Sequence, residues 1–350
     1  MTVLDKQPAP LRLGILGCAN VAKQFARDVR ASEHVEVVAA ASRDLANAQA
    51  FAQAQGIARH HGSYEALLAD PDVDAIYLPL PNSLHAEWAM KAAAAGKHVL
   101  CEKPLALAPD EARAMFEAAR RHGVLLLEAY PYAFQPQTLA MMRLLEEGAI
   151  GQVRSMQSVF GYRLMNLNNI RMQPGLGGGS LLDAGSYALS VIRLVMGAAP
   201  TRVMADASWA SSGVDISLMA TLYFSDGRRA QLSCAMDVAN VRRATISGTD
   251  GTIETEYLNH NSDQAAGDAV GYLPSELRVR RGVAATIPFE PQPTATGSGF
   301  RFAAEAFARM VHGRDTQAME RAAVVSVENA ATLQALAQSA KLGQPVDVRL

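Results

Sequence analysis

Cysteine is scarce in this chain. Its three cysteines, Cys18, Cys101 and Cys234, lie far apart and without CxxC spacing. That excludes a zinc ribbon and implies reduced thiols rather than a disulfide framework. Charge of a single sign is nowhere concentrated. The net charge is −2 and Lys and Arg form no long run, so neither a nucleic-acid-binding stripe nor a polybasic membrane anchor is expected. No apolar run approaches membrane-spanning length. The opening residues MTVLDKQPAP contain no apolar h-region and no twin arginine, so no export signal is expected and a cytoplasmic protein is the default. Internal repeats and low-complexity linkers are also missing.

What remains is an ordinary globular composition over 350 residues, 49% of them hydrophobic, long enough for about two domains with a sizeable core. In the first part, short apolar runs alternate with helical patterns. The runs are Leu11–Leu16, Val35–Ala41, Ala75–Leu80, His98–Cys101 and Val124–Ala129. Between them Val21, Ala22, Phe25 and Val29 recur at helical spacing, as do Ala112, Met115, Phe116 and Ala119. Leu45–Gln55 ends at Gly56, a short capped helix follows Ser63, and Ser83–Ala95 is a further helix. Strands alternating with helices of this length predict an α/β fold, a doubly wound parallel Rossmann sheet over residues 1–130.

From residue 131 the pattern changes. A helix at Gln135–Glu147 leads to a strand over Gly151–Phe160. Apolar residues then alternate with polar ones at Ile216–Phe224 and Ala230–Met236, and Asp250-Gly251 marks a hairpin. Successive strands without intervening helices predict a large, mostly antiparallel sheet in an α+β domain over residues 131–350. Both faces of its strands carry apolar residues, which predicts pairing with a second copy as a homodimer or homotetramer. Asn259–Gly271 reads as a flexible excursion, Phe300–His312 and Ala318–Lys341 as late helices, and Val346–Leu350 as a returning strand.

Five places carry chemistry. Gly17-Cys18-Ala19-Asn20-Val21-Ala22 sits at the first strand-to-helix turn, where a dinucleotide fingerprint G-x-G-x-x-G would lie. Only its first glycine is kept, but a helix N-terminus there can receive phosphate. Ser42 and Arg43 follow the second strand, where an NAD site expects Asp or Glu. A hydroxyl and a guanidinium suit the 2′-phosphate of NADP; the alternative makes Ser42 an N-cap and Arg43 a solvated charge. Leu80, Pro81, Asn82 and His85 form a stiff loop at another strand end, where Asn82 or Ser83 can cap a helix and His85 is either a cofactor contact or structural. Glu102-Lys103-Pro104 ends the buried strand at His98, with Pro104 stopping the ladder and holding Lys103 extended. In the second part, Gly177-Gly178-Gly179 precedes Asp183 and Tyr187, which are four residues apart and so share a helix face. A carboxylate that can hold a hydroxyl beside a phenol that can exchange its proton suits acid/base work on a sugar. None of these segments has metal-ligand spacing.

Taken together, Gly17-x-Ala19-x-x-Ala22, Asn82-x-x-His85, Ala95-Gly-Lys-His-Val-Leu-Cys-Glu-Lys-Pro104 and Gly177-Gly-Gly-Ser-Leu-Leu-Asp-Ala-Gly-Ser-Tyr187 resemble the glucose-fructose oxidoreductase / inositol dehydrogenase / MocA family over nearly the whole chain. The resemblance implies that Lys103 lies beside nicotinamide and substrate and that Arg171 approaches the cofactor. Many members carry histidine at the position of Tyr187. Tyrosine there is similar to the branch with dihydrodiol dehydrogenase, NADP-dependent xylose dehydrogenase and the nucleotide-ketosugar reductases. Ala19, in place of the second glycine, departs from the family pattern at the pyrophosphate contact.

The resulting expectation is an NADP-dependent oxidoreductase passing hydride between nicotinamide and a sugar C–OH or C=O, with Tyr187 as acid/base, Lys103 as its electrostatic partner and Asp183 orienting a hydroxyl. A tyrosine titrates near ~10, so a base near neutrality needs a downward shift of roughly 3 units, about 4 kcal/mol, which a neighbouring ammonium would favour. The alternatives are a nucleotide-ketosugar reductase, a trans-dihydrodiol dehydrogenase and, outside the enzymes, an NADP-binding sensor; retention of Lys103, Asp183 and Tyr187 argues against the sensor. None of the nine tyrosines has lysine four residues later, so the Tyr-x-x-x-Lys pair of short-chain dehydrogenases is missing.

Overall fold

A computed structural model describes residues 8–350; most of the opening segment in which no export signal was expected lies outside the described residues. The apolar runs of the first part become strands walled by helices: β1 (Leu11–Leu16), α1 (Asn20–Val29), β2 (Val35–Ala41), α2 (Leu45–Gln55), β3 (Arg59–His61), α3 (Tyr64–Leu68), β4 (Ala75–Leu78), α4 (His85–Ala94), β5 (His98–Glu102), α5 (Pro109–His122) and β6 (Leu126–Ala129). The six strands pair in parallel in the order β3-β2-β1-β4-β5-β6. Their near-continuous burial is what helices on both faces require. Strand order reverses between β1 and β4, and the carboxyl ends of those strands open a crevice that in such sheets takes ligands. Phe25 of α1 stacks on Tyr77 of β4 with ring centroids 3.7 Å apart, which pins the first helix over that crevice.

The predicted helix at Ser83 differs in its start. A 3₁₀ turn, Asn82–Leu84, precedes α4, and no side chain caps it. Asn82 instead donates its amide to the carbonyl of Gly177 at 2.8 Å, a tertiary bond that no local rule reveals. The Lys103–Pro104 peptide bond is cis.

The second part contains α6 (Pro136–Glu146), β7 (Val153–Arg163), α7 (Ser186–Met196), β8 (Arg202–Trp209), β9 (Asp215–Tyr223), β10 (Arg229–Ala235), β11 (Asp237–Gly248), β12 (Gly251–Thr255), β13 (His260–Asn261), β14 (Leu277–Arg281), β15 (Glu290–Pro291), β16 (Gly297–Ser298), α8 (Gly299–Gly313), α9 (Thr316–Leu342) and β17 (Val346–Asp347). Nine strands form one sheet, β15-β14-β12-β11-β7-β10-β9-β8-β17, antiparallel except for the β7–β10 pair. The expected hairpin at Asp250-Gly251 joins β11 to β12. One face packs Ala188, Val191 and Ile192 of α7 against Leu218, Leu222, Leu232 and Ile246. The segment read as a flexible excursion instead begins with β13, which pairs with β16. The late helices then return to the first sheet. Phe300 and Phe307 of α8 lie in its core, and α9 contributes Met319 and Ala323 there but Leu333 and Leu336 to the second core. Burying each such phenylalanine stabilises the junction by about 2 kcal/mol. Among the described residues, no helix is long and apolar enough to cross a membrane.

Candidate active site

The crevice at β1 and β4 continues into a cleft of about 790 Å³ whose other wall comes from the second sheet. Gly17 makes the first turn possible: its φ is +121°, and a Cβ there would stand 2.7 Å from Leu80 Cδ2. The turn is fixed by the Gly17 N–H donating to the Ala41 carbonyl at 3.0 Å. α1 then begins with no side-chain cap and no acidic residue in its first turn. Its leading N–H groups and partial positive charge are therefore available where Ala19, Asn20 and Val21 line the cleft. That donor set fits a pyrophosphate. At the end of β2, Asp44 caps α2 by accepting from Asn47, so the role that Ser42 could have played is filled. Ser42 accepts from the Asn47 amide at 3.0 Å, and its own O–H remains a donor beside exposed Arg43. A hydroxyl donor and a guanidinium at that strand end fit a 2′-phosphate. Burial pushes the Cys18 thiol up to about 11, which keeps it protonated near neutral pH.

His85 is a correction. It was a candidate cofactor contact, but it is completely buried and its two ring nitrogens face the carbonyls of Pro104 and Leu80, each at 2.9 Å. Burial lowers its pKa while the two carbonyls favour the charged ring. It ties the loop after β4 to the loop after β5 and does not line the cleft. Gly17, Cys18, Ala22, Ser42, Arg43 and Pro81 also stand outside the cleft lining, whereas Leu80, Asn82, Glu102, Lys103, Arg171, Asp183 and Tyr187 are brought together in it.

The second wall depends on the glycine-rich entry to α7. Gly179 has φ +111°, and a Cβ would meet Asp215 Oδ1 at 2.1 Å. Asp215 reaches in from β9 to accept from Ser180 Oγ and from the Leu181 N–H, each at 2.6 Å, so it caps the turn from outside. Leu181–Gly185 is a single π-helical turn rather than the α-helix expected, a feature frequent at functional sites. It presents Asp183 to Lys103. The ammonium donates to Asp183 Oδ1 and to the Asp183 carbonyl, both at 3.0 Å. Asp183 Oδ2 accepts from Arg171 Nε at 2.7 Å and from the Tyr162 hydroxyl at 2.5 Å. Burial opposes the Asp183 charge, but Lys103 and Arg171 override it and hold the carboxyl below its ordinary range. Glu102, directly before Lys103, is buried and accepts from the Tyr77 hydroxyl at 2.7 Å, and burial raises its pKa.

Tyr187 is 5% exposed, with the rings of Tyr130 and Phe160 edge-on at 5.5 Å. Lys103 Nζ stands 4.6 Å from the centroid of its ring. The expected downward pKa shift is not found: burial, then the neighbouring Glu102 charge, raise the phenol above its ordinary value, while Arg242 and a hydrogen bond from Asn259 pull the other way. Neither Arg242 nor Asn259 was singled out from the sequence. For Arg242 a signal existed, since at period two it shares a face of β11 with the buried Ala244 and Ile246. Asn259 carried none.

Comparison with known proteins agrees with this arrangement. Residues 11–130 match the family described as oxidoreductase family, NAD-binding Rossmann fold. Residues 138–254 match the GFO/IDH/MocA C-terminal domain. The chain is 38% identical over 341 residues to D-xylose 1-dehydrogenase (NADP(+)) 2 of Haloferax volcanii, covering 97% of this chain and all of that one. Among solved structures it is similar to a 3-ketoreductase from Actinomadura kijaniata in complex with NADP and TDP-benzene, with TM-score 0.82, 30% identity and coverage of 94% and 98% of the two chains. An aldose-aldose oxidoreductase from Caulobacter crescentus complexed with glycerol superposes with TM-score 0.85 at 27% identity, covering 97% and 99%. A Rossmann half with a free helix N-terminus, a lysine directly after β5 and a tyrosine behind three glycines thus have one source: this chain is a member of the GFO/IDH/MocA oxidoreductase family.

Proposed function

We propose that this chain is an NADP-dependent oxidoreductase that transfers hydride between nicotinamide and the C–OH or C=O of a sugar, with an aldose as the substrate class. The observation that carries the reading is the convergence of Lys103, from the first sheet, with Asp183 and Tyr187, from the second, at the mouth of the α1 crevice. NADP, when bound, supplies the hydride acceptor or donor. α1, Ser42 and Arg43 hold its phosphates, and Lys103, Arg171 and Glu102 line the part of the cleft nearest Tyr187. In oxidation the deprotonated Tyr187 takes the proton of the sugar hydroxyl at its Oη; in reduction the neutral phenol gives its proton to the carbonyl oxygen. Asp183 was expected to orient a hydroxyl. With its two oxygens bonded to Lys103, Arg171 and Tyr162, it serves here as the anchor that aims the Lys103 ammonium.

Incubating the protein with NADP and a panel of aldoses, while following reduced-nicotinamide absorbance, tests the reading. Turnover with at least one aldose supports it, and NADP binding without turnover of any aldose contradicts it. One finding favours a second reading, reduction of a bulkier ketosugar: the similar 3-ketoreductase from Actinomadura kijaniata holds TDP-benzene with NADP, and the cleft wall here runs on through Asn166, Asn168, Asn169 and Ile170 beyond Arg171.

We further propose a homodimer or homotetramer through the larger sheet. Its face away from α7 exposes Met219 at 69% beside Gln157, Thr221 and Arg243, an open surface of the kind a second copy covers. A monomer in sedimentation at micromolar concentration would contradict this.

A further inference from the structure

We propose that Arg242 and Asn259 form a positioning pair that fixes the hydrogen-bond direction at Tyr187, so that the phenol proton points into the cleft. The inference rests on the reading of Tyr187 as acid/base and adds what sets its orientation.

A guanidinium can only donate. Arg242 Nη2 donates to Asn259 Oδ1 at 3.1 Å. That contact settles which way the amide faces, and the Asn259 NH₂ is thereby turned toward Tyr187, whose Oη accepts from it at 2.9 Å. An oxygen that accepts on that side must carry its own proton elsewhere, and the side open to it is the cleft that both residues line.

Both members are held from behind. The Asn259 carbonyl accepts from the Gly299 N–H at 2.6 Å and from Gln135 Nε2 at 2.9 Å. A Cβ at residue 299 would lie 2.4 Å from that carbonyl, so the close approach needs glycine. Arg242 is gripped by rings, its guanidinium carbon 4.2 Å from the Tyr187 centroid, 4.6 Å from Phe160 and 4.9 Å from Tyr257. Its Nε is buried and meets no acceptor among the described residues. A charge kept in such a place, without a carboxylate to bond it, is costly for packing alone; over a phenol that ionises during turnover it stabilises the ionised form.

The groups facing Tyr187 fall into two sets. Glu102 from β5 and Asp183 from the π turn disfavour the phenolate, while Arg242 from β11 and the Asn259 N–H favour it. Lys103 stands at the ring face with its charge bonded to Asp183, and Arg171 is bonded to the same carboxylate. The neighbouring Tyr130 and Tyr132 are themselves pushed above their ordinary range by burial and stay neutral. The donor that meets phenolate oxygen at the moment the sugar proton arrives is therefore Asn259.

The test is the pH dependence of kcat for NADP-linked oxidation of the best aldose in Asn259→Asp, Asn259→Ala and Arg242→Lys, with Tyr187→Phe in parallel. NADPH binding by fluorescence and thermal unfolding are followed as controls. Asn259→Asp turns a donor into an acceptor, so its kcat falls about 100-fold and its ascending limb moves up by about one pH unit or more, with NADPH affinity unchanged. Arg242→Lys keeps the charge and loses the fixed amide, giving an intermediate shift. If Asn259→Asp does not fold, Asn259→Ala carries the same expectation. A parental pH profile in the folded Asn259 variants, with Tyr187→Phe inactive, overturns the pair's role alone. An active Tyr187→Phe overturns the reading beneath it.

Discussion

Lys103 and Asp183 are joined twice, the ammonium donating to a carboxylate oxygen and to the backbone carbonyl of the same residue, each at 3.0 Å. One partner directly follows β5 of the parallel sheet and the other lies in the π turn before α7, so the bond closes the cleft across the two sheets. Their side chains are 10% and 16% exposed.

Asp183→Asn removes the carboxylate that, among the described residues, forms ion pairs with both Lys103 and Arg171. Breaking a buried pair leaves uncompensated cations, and a loss of about 3 kcal/mol is expected, read as a lower midpoint in urea unfolding, together with a fall in kcat. The sign with pH follows from the lowered carboxyl. Because its folded pKa lies below the unfolded value near ~3.9, the contribution is complete above that value and is lost as pH falls through the folded one. Parent and variant should therefore converge in stability toward strongly acidic pH. A constant difference down to that range would contradict the pairing.

Arg43→Ala should discriminate between cofactors. A charge-assisted contact to a 2′-phosphate contributes roughly 1.5–3 kcal/mol, so KM for NADP rises by about 10-fold to 100-fold while KM for NAD stays near the parent's. Steady-state kinetics with both cofactors measures it, and equal effects on the two would refute the assignment of Ser42 and Arg43.

The raised phenol of Tyr187 fixes the pH behaviour of the free enzyme. Oxidation needs the deprotonated form, so kcat/KM, which reports the free enzyme, climbs with pH up to a pKa above the ordinary tyrosine value near ~10. Carbonyl reduction uses the protonated form and stays level over the same span. An oxidation profile that reaches its plateau near neutrality would show that the phenol is not so held.

Much of this was legible in the chain. β1, β2 and α2 run over the residues that their apolar spacing predicted, and Lys103, Asp183 and Tyr187 meet as their motifs implied. Periodicity is a local property, and these elements are locally specified. His85 misled because a histidine at a strand-end loop reads alike whether its ring faces a ligand or two carbonyls. The π turn escaped because it is imposed by Asp215, 32 residues downstream of Asp183 in sequence and a cap only in space. Asn259 escaped for the same reason: its partners Arg242, Tyr187 and Gly299 are gathered by tertiary packing. The direction of the Tyr187 shift depends on burial and on Glu102, which a motif does not display.

The most direct test of the account is kcat of Tyr187→Phe for NADP-linked oxidation of the best aldose, with NADPH affinity measured alongside. If Tyr187 is the acid/base, kcat falls by about 10²- to 10⁴-fold while NADPH binds as in the parent. A kcat within about threefold of the parent, a difference below 1 kcal/mol in barrier, would contradict it.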